Sequence, residues 1–144
     1  MTQIKTIMPL LIYRRIFKMK KLFLLFSHTL TPTQEVDAKE SLKIEEFVKL
    51  SDDLQQLWSN IPPHLTDISD YLKPLKEYIK NSAEDGDVFL IQGDFGGCYE
   101  MVNFVKSLGL EAVHSTTTRD VVEKTVNGKV EKFSRFEHVI FRLY

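Results

Sequence analysis

The chain has 144 residues, 43% of them hydrophobic and 27% charged, and its 19 basic against 20 acidic side chains leave a net charge of −1. That length allows one domain with a real core, burying roughly 68–70% of its unfolded surface. The composition excludes a disordered chain, and the charge balance excludes a uniformly basic surface built to coat nucleic acid. A single cysteine, Cys98, excludes an intrachain disulfide and a multi-cysteine zinc site, and fits a reducing cytoplasmic setting.

Lys5, Arg14, Arg15 and Lys18 fall in residues 1–19 with no acidic residue beside them, so the remainder is acidic by five. The apolar run Ile7–Tyr13 carries Pro9 and is far short of the ~20 residues that span a bilayer. A signal peptide needs a longer apolar stretch and a small-residue cleavage site, which neither this run nor Leu22–Phe26 after Met19-Lys20-Lys21 supplies. Residues 1–18 read as an extension, with a mis-called start codon as its origin, and the domain as 19–144. A weak amphipathic membrane or partner contact is the other reading of that segment.

Lys21–Phe26 is a short, continuous apolar run, the pattern of a strand buried on both faces. Thr31-Pro32-Thr33-Gln34-Glu35 then starts a helix, with a threonine cap and a proline in the first turn, running to about Leu42. Glu46–Leu50 is a second strand, and Ser51 caps a helix through Trp58. Asn60–Pro63 interrupts the pattern. A helical period follows over Ile68–Ile79, in which Pro74 demands a kink or a helix start. Asp87–Gln92 is the strongest buried strand, followed at once by Gly93-Asp94-Phe95-Gly96-Gly97 and by a helix that Gly109 ends. Glu111–Ser115 is a fourth strand. Val121–Val126 and Lys129–Phe133 flank Asn127-Gly128, the strongest short hairpin signal, and Val139–Leu143 completes the second arm.

Strands alternating with helices predict an α/β fold: a Rossmann-like, mostly parallel sheet flanked by helices, with a C-terminal β-hairpin on one edge. Ligands of such sheets bind outside the carboxyl ends of the strands. Three segments are expected there as loops. Ser27-His28-Thr29 offers a general acid or base, or a phosphate donor; the plain alternative is a His capping the strand. Gln92 leads into Gly93–Gly97, which is either a tight strand-to-helix turn or an anion site made by glycines and a helix N-terminus. Its spacing is neither the dinucleotide fingerprint nor a Walker loop. Asp94 would repel a phosphate but can accept from a ribose hydroxyl or an adenine amine, and Phe95 either stacks on a base or packs in the core. Ser115-Thr116-Thr117-Thr118-Arg119 supplies hydroxyls and a guanidinium suited to phosphate, or is a polar loop entering the hairpin. His28, Asp94 and His114 imitate a metal trio only weakly, and no metal or cofactor is assigned. His64 and His138 read as structural or solvated. Cys98 reads as a packing residue, although a helix start lowers a thiol pKa.

Lys20–His28 with Leu30-Thr31, then Trp58–Pro63, then Leu90–Gly96, then Thr116–Arg119 together resemble the small CRISPR-associated accessory family "Csx-twenty" of type III systems, over about residues 19–144. The resemblance implies a fold like the CRISPR-associated Rossmann-fold (CARF) sensor domains. It implies a ring nuclease that linearises cyclic oligoadenylates, cyclic tetra-adenylate first among them, and so ends type III antiviral signalling. It implies a homodimer with the ring across its axis, and neither membrane nor duplex nucleic acid as partner. On this reading a metal-independent phosphodiesterase uses the 2′-hydroxyl of one ribose to attack its own 3′-phosphodiester, leaving a linear oligoadenylate with a 2′,3′-cyclic phosphate. His28 is the acid or base. Arg119 and the N–H groups near Gly96 and Gly97 stabilise the phosphoryl oxygens. Rival readings are a binding-only sensor or sponge, an enzyme or sensor for another nucleotide, and a partner protein that uses the hairpin edge for strand addition.

Overall fold

A computed structural model describes residues 18–144, so the expected extension lies, but for Lys18, outside the described residues. The elements in chain order are β1 (Lys21–Leu25), α1 (Pro32–Ser41), β2 (Glu46–Lys49), α2 (Asp52–Ser59), α3 (Lys73–Ser82), β3 (Val88–Ile91), α4 (Phe95–Ser107), β4 (Glu111–Val126) and β5 (Lys129–Leu143). They form a mixed α/β fold around one five-stranded sheet of order β2-β1-β3-β4-β5. The first four strands are parallel neighbours, with Phe23 beside Val48 and Phe89, and β3 beside β4 through Phe89 and Ala112. β5 returns antiparallel along β4.

Alternation along the apolar runs explains the two-sided core. Leu22, Leu24, Val88, Leu90 and Val113 face α1, where Leu30, Ala38 and Ile44 close the layer. Phe23, Leu25, Phe89 and Ile91 face the other way, against Trp58 of α2, Leu75 and Ile79 of α3, and Met101 and Val105 of α4. The rings of Phe23 and Phe89 stack with centroids 4.7 Å apart. Each large side chain sealed in this way stabilises the fold by about 1.5–3 kcal/mol.

Local signals set the helix ends. The Thr31 hydroxyl accepts the Gln34 N–H while the Gln34 side chain accepts the Thr31 N–H, a complete capping box, and Pro32 stands at the helix start. Pro74 marks the start of α3 rather than a kink within a longer helix. Asp94 caps α4, and Gly109, at φ +74, follows its end.

Ser115–Arg119 was expected as a loop, but β4 runs unbroken through it to Val126, with a bulge between Ser115 and Thr117. Thr116, Thr117 and Thr118 are β-branched and pack well on a pleated ribbon, which outweighs the turn tendency of their hydroxyls. β4 and β5 therefore extend past the sheet as a long two-stranded arm. It closes at Asn127 and Gly128, both with positive φ, 52 and 76.

Candidate functional site

The strand order reverses direction between β1 and β3, because β2 lies on one side of β1 and β3 on the other. The carboxyl ends of β1 and β3 meet at that switch point, where an open α/β sheet presents its ligand crevice. Gln92 donates its N–H to the Leu25 carbonyl at 3.0 Å, so the two ends stay joined to their last residues.

Ser27, His28 and Thr29 leave β1 on the surface, as expected, and line a cleft of about 320 Å³ with Phe26, Lys49 and Gln55. The Ser27 and Ser59 hydroxyls are 2.9 Å apart, and the His28 ring meets Phe26 edge-on at 5.3 Å. His28 is thus presented to solvent with an aromatic ring on one side.

Gly93–Gly97 sorts into residues that serve the fold and residues that face outward. The Trp58 Nε1–H donates to the Gln92 carbonyl at 3.2 Å, and a Cβ on Gly93 would stand 3.2 Å from the same indole nitrogen. A Cβ on Gly97 would stand 2.7 Å from Ile61 Cδ1, so this buried glycine is required by packing. The Asp94 carboxylate accepts the Gly97 N–H at 2.8 Å. Gly97 therefore supplies no free donor, and the expected pair of N–H groups near Gly96 and Gly97 is corrected to those of Phe95 and Gly96, outside the intrahelical ladder. Phe95 is 96% exposed, which removes its core-packing alternative.

Thr116–Arg119 stands apart from these loops. The Ser115 N–H donates to Gln92 Oε1 at 2.7 Å, which ties β4 to the switch point. Beyond it, Thr116 Oγ1 accepts the Ile140 N–H and donates to the Ile140 carbonyl, both at 3.1 Å. Thr117 and Thr118 pair with His138 and Glu137 across the ribbon. Arg119 donates to the Ser134 hydroxyl at 3.0 Å and lies over the Phe136 ring. It is four residues past Ser115, about 13 Å further along the strand, on a strand about 10 Å sideways from β1. His28 and Arg119 do not share one site within a protomer.

His138, set aside from sequence as structural or solvated, is structural: its side chain is 3% exposed. Its Nδ1 lies 2.6 Å from the Ser115 hydroxyl and its Nε2 lies 2.6 Å from Asp37, while Gln34 donates to Ser115 at 3.3 Å. Burial raises the Asp37 carboxyl, but hydrogen bonds from Ser41 and His138 and the His138 charge outweigh it and hold the group below its ordinary value. This relay locks α1 to the base of the arm. Sequence reasoning could not find it, because Asp37 and His138 are 101 residues apart.

A second cleft, of about 500 Å³, opens between α4 and the end of β5 and shares no lining residue with the His28 cleft. Gln92, Gly93 and Phe95 belong to it, together with Tyr99, Asn103, His114 and Tyr144, which the sequence reading did not assign. The recurrence of aromatic residues at 95 and 99, one helical turn apart, was the available signal. Burial pushes the Cys98 thiol up against the opposing effect of its hydrogen bonds, as befits a packing residue rather than a nucleophile. Among the described residues, no three His, Cys, Asp or Glu side chains gather as metal ligands, so His28, Asp94 and His114 form no trio. Among them too, no helix is long and apolar enough to cross a membrane.

Residues 20–142 match the family model described as "Uncharacterized protein MJ1673 family". A curated protein of Methanocaldococcus jannaschii, "Uncharacterized protein MJ1673", is 48% identical over 126 residues, covering 88% of this chain and 98% of the relative. No solved structure matches. The chain belongs to the MJ1673 family.

Proposed function

We propose that this member of the MJ1673 family is a CARF-like ring nuclease that binds cyclic oligoadenylates on the carboxyl edge of its sheet and linearises them, cyclic tetra-adenylate first among them. The observation that carries this reading is the composition of the β1/β3 switch point. An exposed His28 with Ser27 and Thr29 leaves one strand. Beside it the other strand leads into a helix start that presents unpaired N–H groups and the 96%-exposed ring of Phe95. Imidazole, hydroxyls, amide donors and an aromatic face are the groups that phosphates, riboses and bases require. The ring as ligand, and the end of type III CRISPR signalling in the cytoplasm as outcome, rest on the resemblance of the sequence motifs.

The chemistry needs in-line geometry and charge stabilisation from the protein. The 2′-oxygen of one ribose bonds to its adjacent phosphorus as the bond from that phosphorus to the next 5′-oxygen breaks. The 2′-hydroxyl proton passes to His28 and on to solvent water, from which the leaving 5′-oxygen takes up a proton. The N–H groups of Phe95 and Gly96 receive the charge that develops on the phosphoryl oxygens. A homodimer presents this set twice to a two-fold ring. In that assembly Arg119 acts from the partner's arm, since in its own protomer it stands too far from His28.

The test incubates the protein with cyclic tri-, tetra- and hexa-adenylate in excess EDTA, with products separated by chromatography and identified by mass. Linear product ending in a 2′,3′-cyclic phosphate is expected, and His28→Ala should slow a single turnover about 10²–10⁴-fold. A ring bound tightly yet recovered intact would replace the enzyme with a sponge or sensor. A ring neither bound nor cut would sink the reading.

A further inference from the structure

We propose that the cleft between α4 and the end of β5 is a subsite for an adenine base. Its volume of about 500 Å³ falls in the ordinary range for small-molecule sites. One wall is made by Phe95 and Tyr99, 96% and 74% exposed. Large aromatic faces left in water in this way are stacking platforms without a partner. The opposite wall is made by the rings of His114 and Tyr144, with centroids 4.9 Å apart. Aromatic side chains on both the helix side and the strand side of one cleft suit a flat ring.

The charge pattern narrows the ligand further. Among the described residues, no Asp, Glu, Lys or Arg lines the cleft. Burial pushes the Tyr144 hydroxyl up to about 12, and it donates to the Ile91 carbonyl, so it stays a neutral phenol. A phosphate would find no Lys or Arg among these residues, whereas a neutral heterocycle needs only hydrogen-bond partners for its polar edge. The polar edge is made of amides. Gln92 gives its oxygen to the Ser115 N–H and so turns its NH₂ outward, and Asn103 is exposed on α4. The Asn103 carboxamide offers one donor and one acceptor side by side, which matches the N6 amine and N7 of adenine, where hypoxanthine presents two acceptors. The cleft adjoins the N–H groups of Phe95 and Gly96, so a base held here would leave its phosphate at the helix start.

That the base belongs to a ring rests on the proposed function; the cleft's own affinity for a base does not. The experiment therefore uses a mononucleotide. The full chain is titrated with adenosine 5′-monophosphate and, in parallel, inosine 5′-monophosphate, up to millimolar concentration, with chemical shifts of the Tyr99, His114 and Tyr144 rings as readout. The adenine nucleotide should shift these rings and bind more tightly than the inosine one. Tyr99→Ala should weaken it about tenfold, and Asn103→Ala should abolish the preference over inosine. Both positions are exposed, so neither variant threatens the fold. No shift at these rings, or shifts confined to residues around His28, would overturn the proposal. So would ring shifts that follow protein concentration instead of nucleotide, since a second copy would then fill the cleft. If both variants bind and cut the cyclic ligand normally, the subsite is wrong and the nuclease reading stands. If the mononucleotide binds as described and no cyclic oligoadenylate does, the subsite stands and the nuclease reading falls.

Discussion

Replacing His138 by alanine should cost about 3 kcal/mol of stability, although the residue lies outside both clefts. The side chain is 3% exposed and each ring nitrogen has a partner at 2.6 Å. Removing it deprives Asp37 of a hydrogen bond to a charged group, worth about 1.5–3 kcal/mol when intact. It also leaves the buried Ser115 hydroxyl with only the 3.3 Å contact from Gln34, at a cost of about 1–3 kcal/mol for an under-satisfied group. The sum is tempered because the Asp37 side chain is 21% exposed and keeps its bond from Ser41. In a domain of this size the change should lower Tm by about 10 °C. The pH dependence gives a second readout. A carboxyl held below its ordinary value in the folded state contributes stability above the unfolded pKa of about 3.9, lost as pH falls through the folded one. Without His138 that contribution shrinks, so the acid limb of the variant's stability curve should be shallower than the parent's. Urea unfolding at pH 7 and at a series of pH values below 5 checks both. A loss under about 1 kcal/mol at pH 7, with an unchanged acid limb, would refute the claim that this relay fastens the arm.

Three further outcomes follow from the geometry. Gly97→Val should destabilise by roughly 3 kcal/mol in chemical denaturation, because a Cβ at this position already meets Ile61 at 2.7 Å and Trp58 at 3.2 Å; a neutral result would refute the claim that packing requires this glycine. Phe95→Ala should change stability by less than about 0.5 kcal/mol while weakening cyclic tetra-adenylate binding about tenfold, measured by calorimetry beside a thermal melt. Gly128→Ala forces an L-residue into φ +76 at a cost of about 1–2 kcal/mol; amide exchange should quicken along the arm tip and stay unchanged in β1 and β3, since among the described residues that tip is exposed.

Much of the scaffold was legible because its signals are local. A run such as Leu22–Leu25 can only be buried on both faces, and Thr31-Pro32 with Gln34 can only start a helix. The places where the reading failed share a physical cause: each depends on what lies across the sheet. Thr116–Thr118 reads as a loop until β5 is there to pair with it, since a β-branched run gains its strand preference from a neighbour. Gly97 reads as a donor to phosphate until Asp94 is seen to take its N–H and Ile61 to fill its side. Asp37 and His138 carry no spacing that links them, and only the return of β5 along β4, beside α1, brings them to 2.6 Å. The same logic divides the site. The His28 and Gly93–Phe95 segments were legible as carboxyl strand ends, and the strand order then makes those two ends neighbours. Arg119 was not legible in this way, because its distance from His28 is set by how far β4 continues past the sheet.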